Sequence, residues 1–219
     1  MLGAMLTIEI IADFVCPWCF IGRRRAQVAI ERVRARRPDF SCRTIWRPFF
    51  LNPDSPPLGE PYLPFLESKF GSRAAVEELF ARIRQAGAAY DIEYAFEKIS
   101  VRANTLQAHR LMHLAQQHGD GDAVALALFT AQFQRGENIG DIAVLRRIGE
   151  ECALDAAVVA DYLAGEKDAQ LIIDREAEAR ALGVNVVPSY IVAGGEVIPG
   201  AEDPDILARA IEAALDAGA

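Results

Sequence analysis

Leu6-Thr7-Ile8-Glu9-Ile10-Ile11-Ala12-Asp13-Phe14-Val15-Cys16-Pro17-Trp18-Cys19-Phe20-Ile21-Gly22 is the stretch on which the fold turns. Leu6 to Ala12 is an apolar run that reads as a strand bound for a core. Phe20 to Arg37 is compatible with a helix. Between them sits Cys16-Pro17-Trp18-Cys19. Pro17 fixes φ and carries no N–H, which suits a first helical turn. Two thiols two residues apart at a helix start can close a small disulfide ring. The first sulfur then faces unpaired backbone N–H groups and the positive end of the helix dipole. Both favour thiolate, the reactive form. This position is expected to expose the Cys16 sulfur and to cover Cys19 partly within the first turn.

Outward from the motif, residues 5–52 read strand, helix, strand. The second strand is Ser41 to Arg47, stopped by Pro48. Asn52 to Pro61 is a proline-rich link whose flanking aromatics predict an ordered crossing. From about 62 to 182 the pattern is helical. Ser72, Asn104 or Thr105, Asp122, Asp141 and Asp155 are candidate helix starts. Gly119, Gly136 and Gly183 are candidate stops, the last closing a helix over Lys167 to Leu182. After Gly183 the period changes. Val186 to Val192 is β-like, Ala193-Gly194-Gly195-Glu196 signals a hairpin, and Val197 to Gly200 gives a partner strand. Asp203-Pro204 opens a last helix. The pattern predicts an α/β protein: a thioredoxin-like unit over 1–52 and 183–219, with a large all-helical insertion over 53–182 between its βαβ and ββα halves.

Bulk properties narrow the function. The chain has 219 residues, 52% of them hydrophobic and 25% charged, with a formal net charge of −8. That balance argues against coating nucleic acid or anionic membrane. Between Cys16 and Arg47, nine arginines face only Glu31 and Asp39, a local +7. This reads first as a solvated arginine-rich helix face, and second as a positive field over Cys16. No uncharged run approaches the ~18 residues of a membrane helix. The first fifteen residues lack a basic n-region and include Glu9 and Asp13, so no targeting segment is expected and the compartment is read as cytoplasmic. Met5 is an alternative start, with Met1 to Ala4 as extra residues.

Four cysteines are too sparse for a disulfide scaffold, and a CxxC beside a strand–helix pattern in a cytosolic chain reads as redox-active. A zinc site would need two further ligands nearby. Cys42 and Cys152 are isolated, and His109, His113 and His118 lie on another segment, so no metal is expected. Cys42 and Cys152 read as buried small hydrophobes. Cys16 is assigned as nucleophile and Cys19 as resolving thiol. Trp18 is either a substrate platform or simple packing. Asp13 is expected to cap the loop before Cys16, with proton transfer as the weaker reading, and His109 to pack the insert. For Val187-Pro188 the plain reading is a trans proline at a strand start, since only about one X–Pro bond in twenty is cis. The alternative is a cis proline facing the thiols, which would free the Val187 backbone to pair with an extended substrate.

Asp13 to Gly22, Arg47-Pro48-Phe49-Phe50-Leu51-Asn52-Pro53, Ala103 to Leu111 and Gly183 to Ser189 resemble the FrnE-like branch of the DsbA thioredoxin-fold family. The four blocks span almost the whole chain. The resemblance implies a thioredoxin fold with a helical insertion, thiol–disulfide exchange at Cys16 and Cys19, and a cis Pro188. Some family members carry a second cysteine pair near the C-terminus; this chain has no cysteine after Cys152.

The reading is a dithiol–disulfide oxidoreductase or isomerase, with no bound cofactor and with glutathione or protein thiols and disulfides as partners. Pro17, Trp18, Val187 and Pro188 shape the site. Neither nucleic acid nor membrane is expected as a partner, and monomer and homodimer both stay open. One rival comes from the same fold branch: a glutathione-dependent isomerase or transferase of the 2-hydroxychromene-2-carboxylate isomerase or kappa type, usually without two cysteines. A second is a non-catalytic, redox-sensing binding module.

Overall fold

The structure, a computed structural model, describes residues 5–118 and 120–218. The strands are β1 (Leu6–Ala12), β2 (Cys42–Pro48), β3 (Glu60–Pro61), β4 (Val101–Arg102), β5 (Ser189–Val192) and β6 (Val197–Pro199). The helices are α1 (Pro17–Arg36), α2 (Tyr62–Phe70), α3 (Arg73–Ala88), α4 (Leu106–His118), α5 (Gly121–Thr130), α6 (Ile142–Glu151), α7 (Ala156–Ala164), α8 (Ala169–Ala181) and α9 (Pro204–Asp216). A 3₁₀ turn covers Phe96–Lys98, and α5 continues into a π turn over Ala131–Arg135.

The main sheet runs β2-β1-β5-β6. β1 is parallel to β2 and antiparallel to β5, and β5 is antiparallel to β6. β1 is therefore a central strand covered on both faces, which accounts for its near-continuous apolar sequence; Ile8 and Ile11 are fully buried. β2 ends at Pro48, which is its last residue and lies in register with Ala12. β2 lies at the sheet edge, where a missing N–H is tolerated. This strand–helix–strand, helical block, strand–strand–helix order is a thioredoxin-like fold with a mainly helical insertion; the insertion is not all-helical as the sequence suggests, because β3 and β4 pair within it as a short antiparallel ribbon.

The proline-rich link is ordered. β3 pairs with β4, and buried Arg102 bridges Asp54 and Glu60 while its guanidinium sits 3.9 Å from the Phe65 ring centre. Ser72, Asp141, Asp155 and Asp203 each accept a backbone N–H as helix caps. Asp122 does not: Asp120 caps α5, and Asp122 pairs with Arg23 of α1. Leu106 N–H donates to the Asn104 side chain. Gly119 lies outside the described residues. The helix read over Lys167 to Leu182 starts at Ala169, because Asp168 takes a left-handed φ of 61°.

The arginine-rich stretch is a solvent-exposed face at Arg32, Arg34 and Arg36, and it is not an unopposed positive field. Arg32, Arg36 and Arg37 pair with Asp205, Glu212 and Asp216 of α9, and Arg47 with Glu9 and Glu178. The acidic remainder of the chain thus supplies the counter-charges, and most of the local +7 is neutralised where it arises.

The insert joins the sheet through an aromatic chain. Phe14 meets Trp46 and Phe129; Phe20 stacks on Phe129 at 5.2 Å; Tyr94 and Phe96 continue it. These rings put the insert directly behind the Cys16–Cys19 turn.

Candidate active site

The site begins where β1 ends. Asp13 to Val15 turn the chain, Cys16 N–H donates to the Asp13 carbonyl at 3.1 Å, and Cys19 N–H donates to the Cys16 carbonyl at 3.0 Å. Cys16 occupies the N-cap of α1 with extended dihedrals, and Pro17 is the first helical residue. No side chain caps this helix end and its first turn carries no acid. The positive end of the α1 dipole therefore lies at the first cysteine with no acid of the first turn to offset it.

The Cys16 thiol donates to the Val187 carbonyl at 3.7 Å, and the Val187–Pro188 peptide is cis. Residues 171 positions apart thus meet at one sulfur. The loop is held by Ser189 Oγ donating to the Val186 carbonyl and by Gly200 N–H donating to the Pro188 carbonyl. Cys16 is not exposed as its position in the sequence suggests: it is 4% accessible and Cys19 1%. The Val187–Pro188 loop on one side and the insert on the other cover the helix start. Trp18, Leu51 and Val186 are the exposed apolar side chains on segments that converge there.

The two thiols are not bonded to each other. Burial, and then the neighbouring Cys16 sulfur, push the Cys19 thiol well above its ordinary range. The Asp13 charge adds to this, while a hydrogen bond from the Asp13 backbone opposes it. Cys19 is accordingly a protonated thiol at rest. Tyr94 donates its hydroxyl to the Pro17 carbonyl at 2.6 Å. Tyr190 reaches α1 from β5, its hydroxyl buried without a partner. Burial raises both phenols far above their usual range, so both stay protonated.

Asp13 is fully buried. Its side chain does not cap the Cys16 loop; Oδ2 accepts the Leu51 N–H at 2.8 Å. Its Oδ1 lies 3.4 Å from Nε2 of His109, and neither atom has a hydrogen bond. The His109 ring rests on Phe14 and Phe50 at 5.0 and 5.6 Å. Cys42 and Cys152 are free and only half-buried rather than core residues. Among the described residues, no cluster of three or more His, Cys, Asp or Glu side chains is arranged to hold a metal ion.

Gly22, Tyr94 and Tyr190 were not legible as site residues. A Cβ on Gly22 would lie 2.5 Å from both Pro188 Cγ and the Tyr190 hydroxyl, so this glycine lets the loop close onto α1. Its available signal was a glycine inside a helix, which requires a packing reason. Tyr94 lies 77 residues from Pro17, and no local pattern connects them.

Three proteins frame the chain. The uncharacterized protein YwbO of Bacillus subtilis (strain 168) is 28% identical over 207 residues, 93% of this chain and 94% of the relative. The crystal structure of a probable DsbA oxidoreductase from Streptomyces coelicolor superposes with a TM-score of 0.87 at 26% identity, over 96% of this chain and 90% of that one. The cytosolic disulfide reductase DsbM from Pseudomonas aeruginosa, also solved with GSH, shares the fold at a TM-score of 0.66 and 17% identity, over 96% of this chain and 98% of that one. Residues 7–212 match the DSBA-like thioredoxin domain, and the chain belongs to that family.

Proposed function

We propose that the protein is a dithiol–disulfide oxidoreductase in which Cys16 attacks and Cys19 resolves. One observation carries this reading: two unbonded thiols at the free N-terminus of α1, the first hydrogen-bonded to the Val187 carbonyl of the loop opposite. A Cys16 thiolate attacks a disulfide RS–SR′, forming Cys16–S–S–R and releasing R′S⁻. Cys19 then loses its proton, attacks the Cys16 sulfur and releases RS⁻, leaving a Cys16–Cys19 disulfide. Two equivalents of an external thiol return the pair to the reduced state. Trp18 and Val186 offer apolar surface to the R group, and Pro17 and Pro188 hold the two sides of the cleft.

Glutathione or protein thiols are the partners of this reading, and the cytoplasm its compartment. No described helix is long and apolar enough to cross a membrane. The helical block over 53–182 serves as the wall that limits access to the sulfurs of the thioredoxin-like unit.

The test is turnover with insulin, scrambled ribonuclease or glutathione disulfide. Cys16→Ser is expected to abolish it, and Cys19→Ser to accumulate mixed disulfides that mass spectrometry detects. Full activity in Cys16→Ser would remove the assignment. Glutathione-dependent turnover of a chromene or small electrophile that survives in Cys19→Ser would instead favour an isomerase or transferase. Oxidation of the pair without multiple turnover would leave a redox-sensing module.

A further inference from the structure

β2 is the outer strand of the main sheet, and its free edge is covered only in part. At Trp46 the Gln116 side chain accepts the N–H at 2.7 Å and donates to the carbonyl at 3.1 Å. Alternation along a strand turns the Thr44 N–H and carbonyl the same way as those of Trp46. Among the described residues no strand or side chain takes them up. They open onto a groove of about 680 Å³ bounded by β2, α4, α8 and the start of α5. A smaller hollow of about 210 Å³ beside α1 adjoins it and shares Cys42, Thr44 and Asp122 with it.

The charges of the groove are uneven. Arg43 lines it from β2 and Arg175 from α8, while Arg34 at the end of α1 reaches the Cys42 sulfur at 3.9 Å. Among the described residues none of these three pairs with an acid, whereas Arg32, Arg36, Arg37 and Arg47 all do. Arg175 meets the His113 ring instead, 3.2 Å from Nδ1. Of the two acids on the wall, Asp122 is held by Arg23 at 2.5 Å. Asp120 caps α5 through a single carboxylate oxygen. An open main-chain donor and acceptor, uncompensated guanidiniums and one acid together suit an amide flanked by carboxylates and carrying an ammonium.

We propose that this groove binds a free acidic tripeptide of the glutathione type, laid along the Cys42–Ile45 edge as a short added strand. One peptide group pairs with the Thr44 N–H and carbonyl, as the Gln116 amide does with Trp46. The two carboxylates meet Arg43 and Arg175, and the ammonium meets Asp120. A longer protein strand does not fit, because Gln116 closes the edge at Trp46. The volume also falls in the range of small-molecule sites. The groove is remote from the thiol pair. Cys42 is in register with Leu6 and Pro48 with Ala12, so the length of β1, about 20 Å, separates it from the Cys16 turn. The inference goes beyond thiol exchange and does not depend on it. No bond is made or broken; Cys42, on the wall, serves as a reporter.

The probe is S-methylglutathione, which cannot exchange disulfides. Reduced protein is labelled with iodoacetamide in its presence and absence, and peptide mass spectrometry reads the rate at Cys42. At ten times its half-protecting concentration the probe is expected to slow that rate about tenfold, by simple mass action. Arg43→Gln and Arg175→Gln should each raise the half-protecting concentration about tenfold, the scale of one hydrogen bond to a charged group. Thr44→Pro deletes an outward N–H and spares the ladder to β1, a change that an edge strand tolerates; it should raise the concentration about fivefold. If Thr44→Pro does not fold, the two arginine variants carry the test. The dimethyl ester of the probe, without its negative charges, should not protect.

Unprotected Cys42 in the parent overturns the proposal, as does protection that both arginine variants retain in full. Protection by a long acidic peptide but not by the tripeptide also overturns it, and would make the edge a docking site for a protein strand. Insulin turnover should be unchanged in all three variants. A parent that shows no turnover would sink the thiol-exchange reading and leave this test intact.

Discussion

Tyr94 of the insert donates its hydroxyl to the carbonyl of Pro17, a residue inside the Cys16–Cys19 motif, across 2.6 Å. The ring itself is parallel to Phe96 and edge-on to Phe20, and the Gly87 backbone packs against it so closely that a Cβ would lie 2.5 Å from Cε2. The insert is therefore part of the thiol site and not an appendage beside it. An N-terminal carbonyl of α1 that could otherwise attract water is closed off by a phenol.

Tyr94→Phe keeps the ring and removes the hydrogen bond. The expected loss of stability is about 1 kcal/mol, the net worth of a neutral hydrogen bond, read from the urea midpoint. The first turn of α1 should open more often, so iodoacetamide should label Cys19 faster than in the parent. Unchanged labelling would show that the aromatic stack alone holds the insert down.

Gly22 controls the opposite wall. With a Cβ 2.5 Å from Pro188 Cγ and from the Tyr190 hydroxyl, Gly22→Ala cannot fit without moving the Val187–Pro188 loop. Helix propensity favours alanine by about 1 kcal/mol, but overpacking costs about 1–3 kcal/mol, so the net expectation is destabilisation. The Cys16–Val187 contact should lengthen, and thiol exchange should slow by more than the stability loss explains. A more stable, fully active Gly22→Ala would show that the loop yields freely.

The parts of this architecture that were legible are those encoded in short windows. The Leu6–Ala12 run, the CxxC with Pro17 at N1, the caps Ser72, Asp141, Asp155 and Asp203, and the β5–β6 hairpin all carry local signals. What escaped needed long-range information. Asp120 and Asp122 are equally good caps on paper; Arg23, ninety-nine residues earlier, claims Asp122. Cys16 reads as exposed because a helix start is open, until a loop from the far end of the chain covers it. His109 reads as packing, and its rings do pack; only the third dimension sets its free nitrogen against Asp13.

Gln116 supplies a further case. β2 is the edge of the main sheet, and its Trp46 would leave an N–H and a carbonyl unpaired. The Gln116 side chain of α4 accepts from the first at 2.7 Å and donates to the second at 3.1 Å, acting as one residue of a missing strand. Gln116→Leu keeps the bulk and orphans both groups. It should cost about 1–3 kcal/mol, seen as a lower urea midpoint with an unchanged slope. Gln116→Glu should recover only the contact to the N–H and fall between the two. A Leu variant as stable as the parent would mean that water replaces the amide at this edge.

His113 gives a pH dependence of definite sign. Burial first, then Arg175, lower its pKa below the ordinary histidine value, with Asp168 opposing. Arg175 lies 3.2 Å from Nδ1, and Gln117 is 2.6 Å from Nε2. The unfolded chain binds a proton near about pH 6.5, while the folded protein resists until lower pH. Between those two points the unfolded state holds more protons, so stability falls as pH falls. Above about pH 7 the contribution is fully present. Unfolding free energy measured at pH 7.5, 6.0 and 5.0 should decline stepwise, and His113→Gln should flatten the decline. An identical slope in parent and variant would assign the acid sensitivity to other groups.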